Sequence, residues 1–353
     1  MNDSDLWSRR LQSLDARRLI RTLLLGIAVA VGSYSTAIWI AGQIHFRDYL
    51  GDYSVFWGVA ALPIERLYGD IHFPYPPSAL LLIRPFGYLQ FWWAYAVWTG
   101  LGVALMVLAA RRIVGWDSIL IGFLSAAALG VVVGGQTSLF IGALIVGAVS
   151  SPNSIVTGIL LGIAAAIKPQ AVLAAPFALL ADRNYRAILW AAVAGVTQIL
   201  ASVLIWGPQL WVRWITDLHT FPTYLQVRDL DKGDKGAYGL LLQLGLPSWL
   251  YVLAIPLGIL CTWTVFRGKA EPLERYVAFA VATILISPYT LGYDLAALSI
   301  ACAGLLLNDR RGLAVWIAAA FIMSSVLANW GVILMALLMI RHWWTAPRSA
   351  TGA

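Results

Sequence analysis

Residues 118–150 read SILIGFLSAAALGVVVGGQTSLFIGALIVGAVS, thirty-three residues without one charge. As a continuous helix at 1.5 Å per residue the run would reach about 50 Å, well past a bilayer core of about 30 Å. It therefore either tilts strongly or folds back, and Gly134-Gly135-Gln136-Thr137 is the natural place to turn. Residues 154–181 repeat the pattern, interrupted at Lys168-Pro169-Gln170. Runs this long belong in lipid, where every backbone N–H and C=O must be paired within the protein. Ten-residue strand alternation is missing, so helices are the only spanning option left.

The rest of the chain agrees. Of 353 residues, 60% are apolar and 12% charged, about half the charge of a soluble domain. The net charge of +7 does not point to nucleic acid, because the basic residues sit in short stretches between apolar runs, as cytoplasmic loops do. Cys261 and Cys302 lie inside apolar runs without metal-type spacing and read as buried thiols. The first apolar run has no small-residue cleavage site and reads as a spanning helix.

Further spans fall at about 20–41, 90–110, 187–206, 247–266, 275–290, 293–307, 312–328 and 331–344. Two tilted runs would make about ten helices in all, two hairpins about twelve; the side on which the chain emerges is unchanged. Arg9, Arg10, Arg17, Arg18 and Arg21 precede the first helix and place the N-terminus in the cytoplasm. The layout then puts sixteen of the 24 Lys and Arg inside, among them Arg111, Arg112, Arg183, Arg186, Arg267, Lys269, Arg275, Arg310, Arg311, Arg341 and Arg348. The chain reads as a cytoplasmic segment 1–19, one transmembrane domain 20–344 with outer loops 42–89 and 207–246, and a cytoplasmic tail 345–353. Its place is the inner (plasma) membrane, multi-pass. Residues 77–88, broken by Arg84 and Pro85, are too short to span and read as interfacial or re-entrant. In 207–246, Leu210, Trp211, Trp214, Ile215 and Leu218 share one face of an amphipathic helix at headgroup level. The RDLDKGDKG that follows reads as a solvated loop. Its Asp229, Asp231 and Asp234 are poor metal ligands among interleaved Lys and Arg.

Unusual polar residues gather on the outer side: Asp48, Asp52, Glu65, Asp70 and His72 in the first loop, Gln136, Lys168 and Asp294 at outward helix ends. A charge in a membrane helix costs about 2.5–3.5 kcal/mol even on the lenient insertion scale, so it usually has a task. Asp52, in GDYSVFW, opens a short amphipathic helix; it is either an N-cap or a general base for an acceptor hydroxyl. Lys168 either snorkels to the interface or meets a phosphate. Gln136 suits a turn, Asp294 a helix cap, and Tyr75-Pro76-Pro77 an extended approach to the 77–88 segment. His72, Arg84, Arg213 and His219 are weaker candidates.

Taken in order, GDYSVFW…LYGD…FPYPPSALLLIRPFGYL, GGQTSLFIGALI, AAIKPQAVLAAPFALL…RNYRA and SPYTLGYDLAALSIA resemble glycosyltransferase family 87 over about residues 45–300. That resemblance implies a GT-C-like bundle, an enzyme that moves a sugar from a polyprenyl-phosphate donor to a lipid or glycan acceptor on the outer face, with inversion. The sugar implied is a mannose-like hexose or a pentose. It further implies an acidic base in the first outer loop. Asp52 matches that position, and Asp48, one turn earlier, is the alternative. Many GT-C enzymes carry two adjacent acidic residues there. This chain does not, which speaks against a required metal; no cofactor is expected. Lys168, Arg84 and Arg213 are then candidates for the donor phosphate, and Tyr75, His72, Gln136, Gln170 and Asp294 for substrate contacts. The expected partners are membrane lipids, the donor and the acceptor, and no nucleic acid. No glycine-rich loop of the GxxxxGK[ST] kind is present, as suits a sugar already activated on a lipid. The competing reading is a multi-pass transporter of a lipid-linked or small polar substrate, whose helices also break at Gly or Pro.

Overall fold

The computed structural model describes residues 3–45, 51–68, 73–227, 233–268, 270–308 and 312–345. Among them every regular element is helical. The chain runs through α1 (Asp3–His45), α2 (Gly51–Ala61), α3 (Leu80–Ile83), α4 (Phe91–Ala110), α5 (Trp116–Phe123), α6 (Ala126–Gly134), α7 (Ser138–Ser150), α8 (Ser154–Ile167) and α9 (Ala175–Ala181). It continues with α10 (Tyr185–Trp206), α11 (Gln209–Val227), α12 (Ala237–Gln243), α13 (Ala254–Arg267), α14 (Pro272–Ile286), α15 (Ala296–Leu307), α16 (Leu313–Ser324) and α17 (Ala328–Thr345). Short 3-10 turns join several of them.

Four helical stretches are long and apolar enough to cross a bilayer: Asp15–Ile38, Phe91–Ala110, Tyr185–Trp206 and Ser248–Arg267. A fifth forms if α5 and α6, bent by 69°, count as one span. Five more apolar helices are of only 10–17 residues. The protein is thus an all-helical, multi-pass membrane protein, with four or five full-length spans among the described residues. Much of the remaining apolar sequence is in these shorter helices, packed inside the protein. A helix of α7's length reaches only about 20 Å. Its broken ends are tolerated because they face protein, where freed backbone groups find partners.

α15 is the axis of the bundle: every residue from Ala296 to Leu306 is buried. It packs on α5, α6, α7, α14 and α16. α10 lies outside, its row Leu189, Val193, Val196, Leu200 and Leu204 exposed for lipid. Its other side rests on α8 through Gly158 and Gly162, where any side chain would collide with the carbonyls of Ala187 and Ala191. Small residues four apart allow this close approach.

The two ends of the bundle differ. At one, Arg275 pairs with Asp182 at 2.5 Å, and Arg21 donates to the carbonyls of Leu306 and Leu307 at 3.3 Å. Arg17 and Arg21 lie over Trp316, and Arg111 over Trp116. At the other end lie α2, the 77–88 segment and α11. Exposed aromatics mark both levels, Tyr88, Trp92, Trp93 and Trp249 at one and Trp116, Tyr185 and Trp344 at the other. This is the pattern of side chains held at two bilayer interfaces.

Three local expectations are refined. α1 begins at Asp3, so much of the basic N-terminal segment continues the first span. The 77–88 stretch forms three short turns that pack on α2. In α11, Leu210 is buried, while Trp211 Nε1 donates to Ser202 Oγ (3.0 Å) and Trp214 Nε1 to the Pro74 carbonyl (3.2 Å). Ile215, expected on that packed face, is exposed, and Asp217 is buried instead.

Candidate active site

Three chain breaks meet at the end opposite the arginines. The first follows α6. Gly135 takes a left-handed φ of +62°, the Gln136 N–H closes on the Val131 carbonyl at 3.2 Å, and α7 restarts at Ser138. Only glycine suits that backbone at no steric cost, and a side chain there would also meet the ring of Tyr53. The Trp98 indole secures the turn by donating to the Gly135 carbonyl at 2.8 Å. The second break is Lys168, at φ −144° and ψ 83° between α8 and the turn Pro169–Val172. A residue before proline is pushed out of the helical region, so Pro169 makes Lys168 the last point of α8. The third is Ser287–Leu295, where α14 ends, a 3-10 turn forms at Gly292–Leu295, and α15 begins.

These breaks bring polar side chains together. Lys168, only 3% exposed, forms an ion pair with Asp294, and its ammonium lies 5.0 Å from the centre of the Tyr293 ring. The other contacts of Asp294 come from Ser138 Oγ (3.3 Å) and the Leu291 N–H (3.3 Å). Gln170 Nε2 donates to the Tyr289 hydroxyl at 3.0 Å. Ser138, Lys168, Gln170, Tyr289, Thr290 and Asp294 line one cavity, floored by Ile141 and Ile145. Burial pushes the Tyr289 phenol up to about 12, against the pull of Lys168. It therefore stays protonated at any ordinary pH, able to donate to an anion.

Beside this cavity the Tyr75 hydroxyl and Thr137 Oγ1 are 2.7 Å apart. Burial raises the Tyr75 and Tyr293 phenols, and the charges of Asp294 and Asp52 act on both in the same direction. Asp52 is half-buried in the first turn of α2. It does not line the cavity. Its neighbour Tyr53 packs among Phe91, Tyr95 and Trp98, which sets α2 firmly against the Gly135 turn.

The remaining candidates divide. Gln136 is 5% exposed, and its Oε1 is buried without a hydrogen-bond partner among the described residues. Arg84 donates to the Leu62 carbonyl (3.2 Å) and Arg213 to the Glu65 carbonyl (2.8 Å). Both therefore hold the first loop together, and neither has a contact with Lys168 or Asp294. Asp48 and His72 lie outside the described residues, as do Asp70, Asp229 and Asp231.

The sequence reading passed over Thr137, Ser138, Tyr289 and Tyr293, although all four stand in quoted motifs; hydroxyls carry no charge penalty in lipid and so drew no attention. Asp234 needs a correction. It is fully buried and not part of a solvated loop. Its carboxylate accepts the N–H groups of Gly236 (2.8 Å), Gly239 (2.8 Å) and Thr290 (2.5 Å). Tethered in this way it organises backbone. Among the described residues no three His, Cys, Asp or Glu side chains come together in a cluster able to hold a metal ion.

Fold and site describe a multi-pass helical membrane protein with a polar cavity at one end of an apolar bundle. The model of Glycosyltransferase family 87 matches residues 73–288, more than half of the 353, and the chain belongs to that family. It is a membrane glycosyltransferase. The matched stretch includes Tyr75, Gln136, Lys168 and Gln170, and excludes Asp52, Tyr289 and Asp294. No curated protein and no solved structure matches the chain.

Proposed function

We propose that the protein transfers a hexose, mannose-like, from a polyprenyl-phosphate donor to a lipid or glycan acceptor on the extracytoplasmic face. In this reading Asp52 is the general base and Lys168 a cation for the donor phosphate. The observation that carries it is the buried Lys168–Asp294 pair, set in one cavity with Ser138, Gln170 and Tyr289, with Tyr53 of α2 packed against the Gly135 turn nearby. In this reading α2 brings the Asp52 carboxylate to the acceptor side of that cavity.

The chemistry balances without a further reactant. The acceptor hydroxyl gives its proton to the Asp52 carboxylate as its oxygen bonds to the anomeric carbon. The bond from that carbon to the donor phosphate breaks, and the electron pair leaves with the polyprenyl phosphate. Attack opposite the departing group inverts the anomeric centre. Lys168 and the protonated Tyr289 face the charge that develops on the phosphate, where fixed donors act most strongly. Asp52 stands in the first turn of α2, where a helix N-terminus favours the charged carboxylate that a base requires.

The N-terminus lies in the cytoplasm, since the arginine-rich end then faces inward. A transporter would need its breaks near the bilayer midplane. Here they bring a carboxylate, a lysine, an amide and a phenol to one cavity, the set that a sugar transfer would use. The test is transfer of labelled sugar from polyprenyl-phospho-sugar by purified protein in liposomes with no gradient applied. Turnover is expected; counter-transport without product would place the protein among transporters.

A further inference from the structure

We infer that Lys235 is a second cation of the donor-phosphate site, presented by a loop that Asp234 and Asn329 lock onto the Tyr289–Asp294 segment. This rests on the polyprenyl-phosphate reading above and adds a residue that it did not contain.

The loop is built for placement. Asp234 grips the backbone of Gly236, Gly239 and Thr290. The Lys235 N–H donates to the Thr290 carbonyl at 2.6 Å, so residues 234–235 and 290 are joined in both directions. From the start of α17, buried Asn329 spends both its N–H bonds on this loop, reaching the carbonyls of Asp234 (3.0 Å) and Gly236 (2.8 Å). Gly239 leaves no room for a side chain against Asp234. Buried polar groups satisfied this completely specify one backbone arrangement.

What the loop delivers is a lysine. The stem of Lys235 lies 3.9 Å from where a side chain on Gly292 would begin, two residues before Asp294. The field of Asp294 reaches Asp234 next to it. Lys235 is half-buried, and its ammonium has no hydrogen-bond or ion-pair partner among the described residues. Burial disfavours its charge and Asp234 favours it, so an anion brought beside it would strengthen the charged form.

Charge counting requires such a group. Lys168 is already neutralised by Asp294. The donor phosphodiester brings one negative charge, and the phosphate gains close to a second when the sugar departs. A neutral ion pair cannot balance that. Lys235 does not line the cavity itself, but its backbone is bonded to Thr290, which does, and from there it supplies the missing positive charge.

The test is inhibition of sugar transfer by polyprenyl phosphate, the product that keeps the phosphate and lacks the sugar, measured on wild type, Lys235→Met, Lys235→Gln and Lys235→Arg. Loss of one charge-assisted contact predicts inhibition about 10–100-fold weaker in the two neutral variants. The donor KM should rise with it, while the acceptor KM and the melting temperature stay near wild type. Lys235→Arg should recover most of the effect, which a packing role would not. Equal inhibition of wild type and both neutral variants overturns the assignment of Lys235 alone. A wild type that polyprenyl phosphate does not inhibit overturns the donor reading and the assignment together.

Discussion

Lys168, at the end of α8, and Asp294, at the threshold of α15, form an ion pair that ties two broken helices to each other. Their side chains are 4% and 19% exposed. Desolvation at such a place costs more than an isolated charge recovers, so each needs the other. The pair also has polar company in Ser138, the Leu291 N–H and the Tyr293 ring. Lys168 therefore does not snorkel to the interface, as a lone lysine in an apolar run could.

Lys168→Met should destabilise the protein, since it strands Asp294. Removing one member of a buried pair typically costs about 3–5 kcal/mol, and the partial exposure of Asp294 puts the effect at the low end. Adding Asp294→Asn should restore most of the melting temperature but no turnover. Lys168→Arg should retain more activity than Met because the charge persists, though the planar fork fits differently. A Lys168→Met protein with normal melting and normal donor affinity would contradict a role for the pair in the site.

Gly135→Ala should be among the most damaging single-methyl changes in the chain. It forces a side chain into a left-handed backbone and against Tyr53. Strain of this kind costs about 1–3 kcal/mol, and the displaced turn carries Thr137 and Ser138. Thermal melting in detergent would show the loss. An unchanged melting temperature would mean the turn has slack that its tight packing denies.

Topology can be read with introduced cysteines, since Cys261 and Cys302 are both buried. Gly233→Cys should react with an impermeant maleimide in intact cells. Arg112→Cys, at the arginine-rich end, should react only after permeabilisation. Both positions are exposed. The reverse pattern would invert the protein and place the cavity in the cytoplasm.

Much of this was legible from the chain. The uncharged run 118–150 demanded a break, and Gly135 breaks it; Lys168-Pro169 divides the second run for an equally local reason. Lys168, Gln170 and Asp294 stood out because charged and amide groups are rare in such surroundings, and they line one cavity. What composition could not convey was pairing. Nothing local says that Lys168 meets Asp294, or that Asp234 turns inward to the Thr290 backbone. Such contacts depend on which helices are neighbours. Arg84 and Arg213 likewise stood out by charge, but their bonds to the Leu62 and Glu65 carbonyls depend on the fold and could not be read from the chain. Which apolar helices are full-length spans was harder to read, because hydropathy marks burial in lipid and burial in protein alike, and α15, the most enclosed helix, is the clearest instance.

The account stands on Asp52 as the base, and one substitution tests it most directly. Asp52→Asn keeps the shape and is as good as aspartate near a helix N-terminus, so folding should be unaffected. It cannot take a proton. General base catalysis typically contributes about 10²–10⁴-fold. Transfer of labelled sugar from polyprenyl-phospho-sugar, measured with folded Asp52→Asn, should therefore fall by that order while donor affinity holds. Near-normal turnover in Asp52→Asn alongside an inactive Asp48→Asn would contradict the account and move the base one turn upstream.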